Sequence, residues 1–309
     1  MKEVKKVLIG LVSIIVLLVV ADWAVGTWNE KMYYSSKYGI FHRQIYCMHE
    51  SQDELVIMGS SRADHQYVSG IFEESLGLKT YNAGSEGMCI YYQYAILASY
   101  VERKAFPKLV ILDVQDLDIE PSTGATFTLE AALDRLAPHY GEYKMVDELF
   151  DLQEWNDKVK LLSKTYRYNS KLVQTIKCKY LPEPEDRGYE AIKGKLPDDI
   201  QFEEKPSTIT AVEPMKVEYM QKFIDLCKNH NIPLLLVYSP IFRNGESPAM
   251  NKIAEMAKAS GVPFWDYSNE PSIIKRENFR DAMHLHDEGA HVWSEFLANK
   301  IKDNINDII

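Results

Sequence analysis

The chain is poor in cysteine, has almost no basic clusters and contains only one long apolar run. Each shortage excludes a class of protein. Its 309 residues include 4 cysteines, Cys47, Cys89, Cys178 and Cys227. They are scattered, without the paired spacing of a zinc site or the density of a disulfide scaffold. Lysine and arginine number 35 against 45 aspartates and glutamates, a formal net charge of −10. Beyond Lys2, Lys5 and Lys6 no basic residues cluster, so nucleic acid is not an expected partner. There is no internal repeat and no low-complexity tract. Hydrophobic residues make up 46% of the chain, enough for a real core.

The one apolar run is N-terminal. Val7 to Val20 is broken only by Ser13, and Val7 to Gly26 by one charge, Asp22. A bilayer core takes about 20 helical residues, so this segment is long enough to cross. Three lysines precede it, which by the positive-inside rule places the N-terminus in the cytoplasm and the rest of the chain outside. A cleaved signal peptide is the rival reading. The run is long for a signal-peptide core, and Ala21-Asp22-Trp23-Ala24 is not a small-x-small site. The expectation is therefore an uncleaved single-pass anchor, with Trp23 and Trp28 at the outer interface. It divides the chain into a cytoplasmic tip and anchor over 1–28 and an extracytoplasmic domain over 29–309.

Within that domain, short apolar runs alternate with helical spacing. Leu55 to Met58, Thr80 to Ala83, Leu109 to Val114, Pro233 to Tyr238 and Pro263 to Tyr267 read as strands. Val68 to Leu76, Ile90 to Arg103, Pro214 to His230, Met250 to Ser260 and Glu288 to Asn304 read as helices. Such repeats imply an α/β fold with a parallel sheet between helices. Residues 119–205 break the alternation. Leu129 to Leu136, Met145 to Phe150 and Trp155 to Tyr180 read as helices, followed by a polar stretch with Gly188, Gly194 and Pro197. This block is expected as a helical and loop insertion that forms a substrate wall and does not build the sheet.

Parallel sheets carry their sites at the carboxyl ends of strands. The first strand ends in Gly59-Ser60-Ser61-Arg62, and the chain later reads Asp281-Ala-Met-His284. A serine hydroxyl becomes a nucleophile when an imidazole takes its proton, and a carboxylate can hold that imidazole. Serine-based acyl transfer is the leading chemistry. By residue type alone either Ser60 or Ser61 could attack. Arg62 could meet an anionic substrate group or form a plain salt bridge. Asp113, Asp116 and Asp118 could be taken for metal ligands, but no histidine or cysteine accompanies them, and no metal or cofactor is expected.

Four blocks in order carry a family resemblance: Gly59-Ser60-Ser61, Tyr81-Asn82-Ala83-Gly84-Ser85-Glu86-Gly87, Val110 to Asp116, and Asp281 to His284. The chain resembles the SGNH/GDSL hydrolase superfamily over residues 55–298. The resemblance implies a flavodoxin-like three-layer sandwich with a central parallel sheet. It assigns Ser61 as nucleophile, His284 as base and Asp281 as its orienter. It also assigns the oxyanion donors to Ser61, Gly87 and Gln115. Ser60 stands where the family carries Asp, Gln115 where it carries Asn, and Asp113 where a glycine is usual. A Gly-Ser-Ser block and an N-terminal tether are also similar to a branch acting on envelope polymers. D-alanyl-lipoteichoic acid biosynthesis protein D and the alginate O-acetylation proteins exemplify that branch. The implied substrate is an acylated polysaccharide or a small ester. The implied alternative is a weakly catalytic or inactive partner that binds polysaccharide or assists a membrane-bound O-acyltransferase, consistent with the altered blocks.

Overall fold

Five strands, β1 (Leu55–Gly59), β2 (Thr80–Asn82), β3 (Leu109–Asp113), β4 (Leu234–Tyr238) and β5 (Phe264–Asp266), pair in parallel in the order β2-β1-β3-β4-β5. They are seen in a computed structural model that describes residues 1–204, 211–244 and 247–308. Every residue of β1, β3 and β4 is buried. This is why these strands read as unbroken apolar runs rather than alternating ones. Leu55, Ile57, Leu109, Ile111, Leu235 and Val237 share one core with Tyr67, which follows helix Ser61–Gln66, Phe72 of helix Ser69–Leu76, and Trp293 and Leu297 of helix Asp287–Asp303. The alternate residues point to the other face. Helices Ile90–Glu102 and Pro214–Asn229 pack against each other, and Ile90–Glu102 also touches β1. The α/β class with a parallel sheet is thus present. A separate two-residue parallel pair joins Glu203–Glu204 to Arg243–Asn244.

Packing divides the chain into two units, one of residues 1–45 with 133–183 and one of residues 46–132 with 184–309. These boundaries differ from a break after 28 and an insertion over 119–205; residue 205 itself lies outside the described residues. The first unit is helical. Its N-terminal helix, Lys2–Tyr33, runs past residue 28, and its mean hydropathy of 2.7 over the best stretch and its length suffice to cross a membrane. A small core of Tyr33, Phe41, Ile45, Tyr168 and Cys178 closes this unit.

One sequence expectation about the insertion changes. The run Trp155 to Tyr180 is three helices, Trp155–Lys160, Lys164–Asn169 and Leu172–Tyr180. The first break is a capping event: the Ser163 hydroxyl accepts from Tyr166 N–H, so a new helix starts there. The stretch 184–200, expected as a loop that does not build the sheet, contributes no strand to the five-stranded sheet, and its backbone is bonded to the second unit. Asn82 N–H at the end of β2 donates to Arg187 O, Glu190 N–H to Asp64 O, and Leu196 N–H to Phe279 O. Gly188, at φ +87, lies so close that a Cβ there would stand 1.9 Å from Asn82 O. A polar segment without apolar periodicity can be bound this way through its backbone, which residue types do not reveal.

Candidate active site

β1 ends at Gly59, whose φ of +147 only glycine holds comfortably, and where a Cβ would stand 2.7 Å from Asp113 O. The chain then turns into helix Ser61–Gln66, with Ser60 as N-cap and Ser61 as first helical residue. Ser60 is 1% exposed and its hydroxyl is without a partner among the described residues, whereas Ser61 is 8% exposed. The Ser61 Oγ lies 2.8 Å from His284 Nε2.

His284 sits in a loop closed by the Phe279–Leu285 bridge and by Arg280 N–H donating to His284 O. Its Nδ1 is 3.0 and 3.1 Å from the two Asp281 carboxylate oxygens. Asp281 Oδ1 also accepts the N–H groups of Met283, at 2.8 Å, and His284, at 2.9 Å. Burial pushes the Asp281 carboxyl upward, but the His284 bond and the two backbone bonds outweigh it, leaving the pKa below the ordinary carboxylate value. Asp281 is therefore an anion that draws the imidazole proton to Nδ1. Nε2 is left to accept from the serine hydroxyl. The sequence-expected trio of Ser61, His284 and Asp281 is thus assembled, although the serine is more than 200 residues away in the chain.

The neighbouring histidines do other work. His286 caps helix Asp287–Asp303, accepting Gly289 N–H through Nδ1 and donating through Nε2 to Glu277 O. His291 binds Asp287 O on that helix. His65, unremarked in the sequence, packs edge-on to His284 with ring centroids 6.2 Å apart and is held by Glu190 O.

Ser61 and His284 open onto a cleft of about 490 Å³, lined also by Gly87, Gln115, Leu117, Phe127 and Met283. Gly87 has φ +73, and its carbonyl accepts Phe127 N–H at 2.8 Å. Asn82 shapes the turn leading to it, donating to Ala63 O and Tyr67 O and accepting Gly84 N–H. Gln115 follows β3. Its backbone N–H donates to Asp118 at 2.8 Å, and its side-chain Nε2 is buried without an acceptor among the described residues. The loop it opens is clamped by the fully buried Lys216, whose Nζ donates to Leu117 O and Glu120 O. Of the expected insertion wall, residues 126 and 127 line the cleft; none of 182–204 does.

Arg62, open in the sequence between a substrate contact and a salt bridge, lines the cleft and is ion-paired within the domain. It is 1% exposed. Its guanidinium lies 3.5 Å from Asp113, donates to Val114 O and Ser239 O, and stacks over the Tyr238 ring. Among the described residues its Nε has no hydrogen-bond partner, and the side chain braces the strand ends beneath Ser61. Asp113 also accepts from Tyr67 OH and Ser239 N–H. Asp116 instead binds Arg243 and Ser247. Asp113, Asp116 and Asp118 thus have separate hydrogen-bond partners. A signal for the network was available: a charge ending a wholly apolar strand must be paired if the strand is buried.

Burial raises the Asp118 carboxyl to about 7, against the opposing Gln115 bond and the Lys216 charge. A carboxyl whose folded pKa is raised favours folding below its unfolded value of about 3.9, and that contribution is lost as pH climbs through about 7. Asp118→Asn keeps an acceptor for Gln115 N–H and removes the ionisation. Its melting temperature relative to wild type is expected to rise between pH 4 and pH 8. A difference independent of pH would show that Asp118 ionises in the folded protein as it does in water.

No family model matches this chain, and neither does any curated protein.

Proposed function

We propose that this protein is a membrane-anchored serine esterase or O-acyltransferase of SGNH type, working outside the cytoplasm on acylated envelope polysaccharide. The observation that carries the reaction is the hydrogen-bonded array Ser61–His284–Asp281 at the mouth of a cleft. The strand order supports the fold reading, because 2-1-3-4-5 is the order of flavodoxin-like sheets. In such sheets ligands bind where the order reverses, here between β1 and β3. Ser61 and Gln115 follow those two strands. The polysaccharide substrate and the extracytoplasmic site rest on the resemblance and on the apolar helix after three lysines.

In this reading Ser61 Oγ attacks the ester carbonyl while His284 Nε2 takes its proton. The carbonyl oxygen becomes an oxyanion facing the Ser61 and Gly87 amides. As a first-turn residue, Ser61 has an N–H without an intrahelical acceptor. Gln115 supplies the third donor through its unpartnered Nε2. Collapse expels the alcohol, which receives the proton from His284. Water, or a sugar hydroxyl, then attacks the acyl-enzyme with His284 again as base. The apolar Leu117, Phe127 and Met283 fit the acyl side of the ester.

A fluorophosphonate probe is expected to label the wild-type protein at Ser61 and to leave Ser61→Ala unlabelled. Absence of labelling in folded wild type would favour a non-catalytic partner of a membrane-bound O-acyltransferase. Gln115→Ala is expected to lower kcat by about 10²-fold with KM little changed, as for loss of one oxyanion donor. An unchanged kcat would remove Gln115 from the oxyanion site.

A further inference from the structure

Lys2 to Ala21, the first 20 residues of helix Lys2–Tyr33, are exposed on all sides, as for a segment surrounded by lipid. The uncharged stretch Val7 to Ala21 is 15 residues. It rises only about 22 Å, whereas a hydrocarbon core is about 30 Å thick. A helix this short in apolar length draws its flanking residues toward the bilayer. On the far side the first flanking charge is Asp22.

Asp22 does not stand alone. Its carboxylate accepts the Ser163 hydroxyl and the N–H groups of Lys164, at 2.9 Å, and Thr165, at 3.2 Å, while its carbonyl accepts the Thr165 hydroxyl. One turn on, Gly26 lets the chains touch: a Cβ there would stand 2.6 Å from Lys164 Cβ. Lys164 then pairs with Glu30 at 2.7 Å. The turn 163–165 is thereby held at the depth of residue 22.

The segment leading into that turn presents an apolar row. Trp155 and Val159 follow the i, i+4 spacing of the short helix Trp155–Lys160, and Leu162 stands in the turn that follows it. They are 76%, 50% and 75% exposed, while Leu161 between them is buried in the unit. Tyr166, Trp23 and Trp28, beside the same turn or on the anchoring helix, are also about half exposed or more. Exposed tryptophan, tyrosine and leucine at the end of a span have the composition of a membrane interface. The nearby lysines are paired, Lys158 with Asp151 and Lys160 with Asp157. Attraction to anionic headgroups is therefore not the basis of the contact.

We propose that Trp155, Val159 and Leu162 insert into the headgroup–acyl boundary of the bilayer that the N-terminal helix crosses, giving this unit a second, interfacial hold on the membrane. The contact is apolar. It is set by the Asp22 tie, and it fixes the orientation of the helical unit on the surface rather than its attachment. It does not depend on the proposed reaction.

The test uses the full chain reconstituted in phosphatidylcholine vesicles. Leu162→Cys and Trp155→Cys are labelled with an environment-sensitive fluorophore, and Val12→Cys serves as the marker of the span. The four native cysteines are buried and leave little background. Blue-shifted emission at 155 and 162, quenched severalfold by lipids carrying a shallow doxyl group, is expected for side chains about 5–10 Å into the boundary. It should be unchanged by added anionic lipid. Quenching at 12 with water-like emission at 155 and 162 overturns the docking while the span stands. Blue emission at 162 that lipid quenchers do not touch means that protein, such as a second copy, covers the row, and it also overturns the proposal. Without quenching at 12 the span fails, and the docking fails with it.

Discussion

Ser61→Ala is expected to lower p-nitrophenyl acetate hydrolysis by about 10⁴-fold or more, since in the proposed reaction it removes the covalent route and leaves only binding and oxyanion stabilisation. The effect should fall on kcat, because Ser61 Oγ is small and its partner His284 stays held by Asp281. Ser60→Ala is the informative companion. Ser60 is buried with an unpartnered hydroxyl, so its removal deletes no bond seen among the described residues. It is expected to retain most activity. Full activity in Ser61→Ala, or a loss confined to Ser60→Ala, would move the nucleophile one residue and break the link to His284.

The largest stability effect is expected at Asp113. Its carboxylate is 1% exposed and holds Arg62, Tyr67 and the Ser239 N–H. Burial pushes its pKa up against the Arg62 charge, which lowers it. Asp113→Ala leaves the guanidinium buried without its counter-charge. Breaking such a pair costs about 3–5 kcal/mol. At about 2–4 °C per kcal/mol for a domain of this size, the melting temperature should fall by roughly 10 °C. Arg62→Met with Asp113→Leu together should recover much of that loss, because two apolar groups can replace a buried pair. A melting temperature for Asp113→Ala within a degree of wild type, measured by calorimetry, would show that the pair is solvated and not part of the core. The double variant separates lost charge from lost packing.

The candidate trio was legible in the sequence because its chemistry is local. Asp281 and His284 share one turn, so their spacing alone lets carboxylate and ring meet. Ser61 follows an unbroken apolar run, which marks a buried parallel strand and hence a site at its carboxyl end. Arg62 was legible only as a choice between a substrate contact and a salt bridge, and the fold supplies the salt-bridge partner, Asp113. The insertion was legible as a break in periodicity, but not in its allegiance. Residues 133–183 pack with the N-terminal segment, through bonds such as Asp22 to Ser163, and 184–200 are bonded into the sheet unit.

The sequence by itself determined the strands, most of the helices, the apolar span, and which serine, histidine and aspartate were candidates. Those follow from periodicity, burial and short-range spacing, which are properties of neighbours in the chain. The tertiary structure decided the strand order β2-β1-β3-β4-β5, the 2.8 Å approach of Ser61 to His284, the inward course of Arg62, the exposed row of Trp155, Val159 and Leu162, and the unpartnered Gln115 amide. Each of these depends on which distant backbone supplies a partner. Hydrogen bonds and ion pairs are short-ranged and directional, so residue type offers the group and the fold alone chooses what it meets.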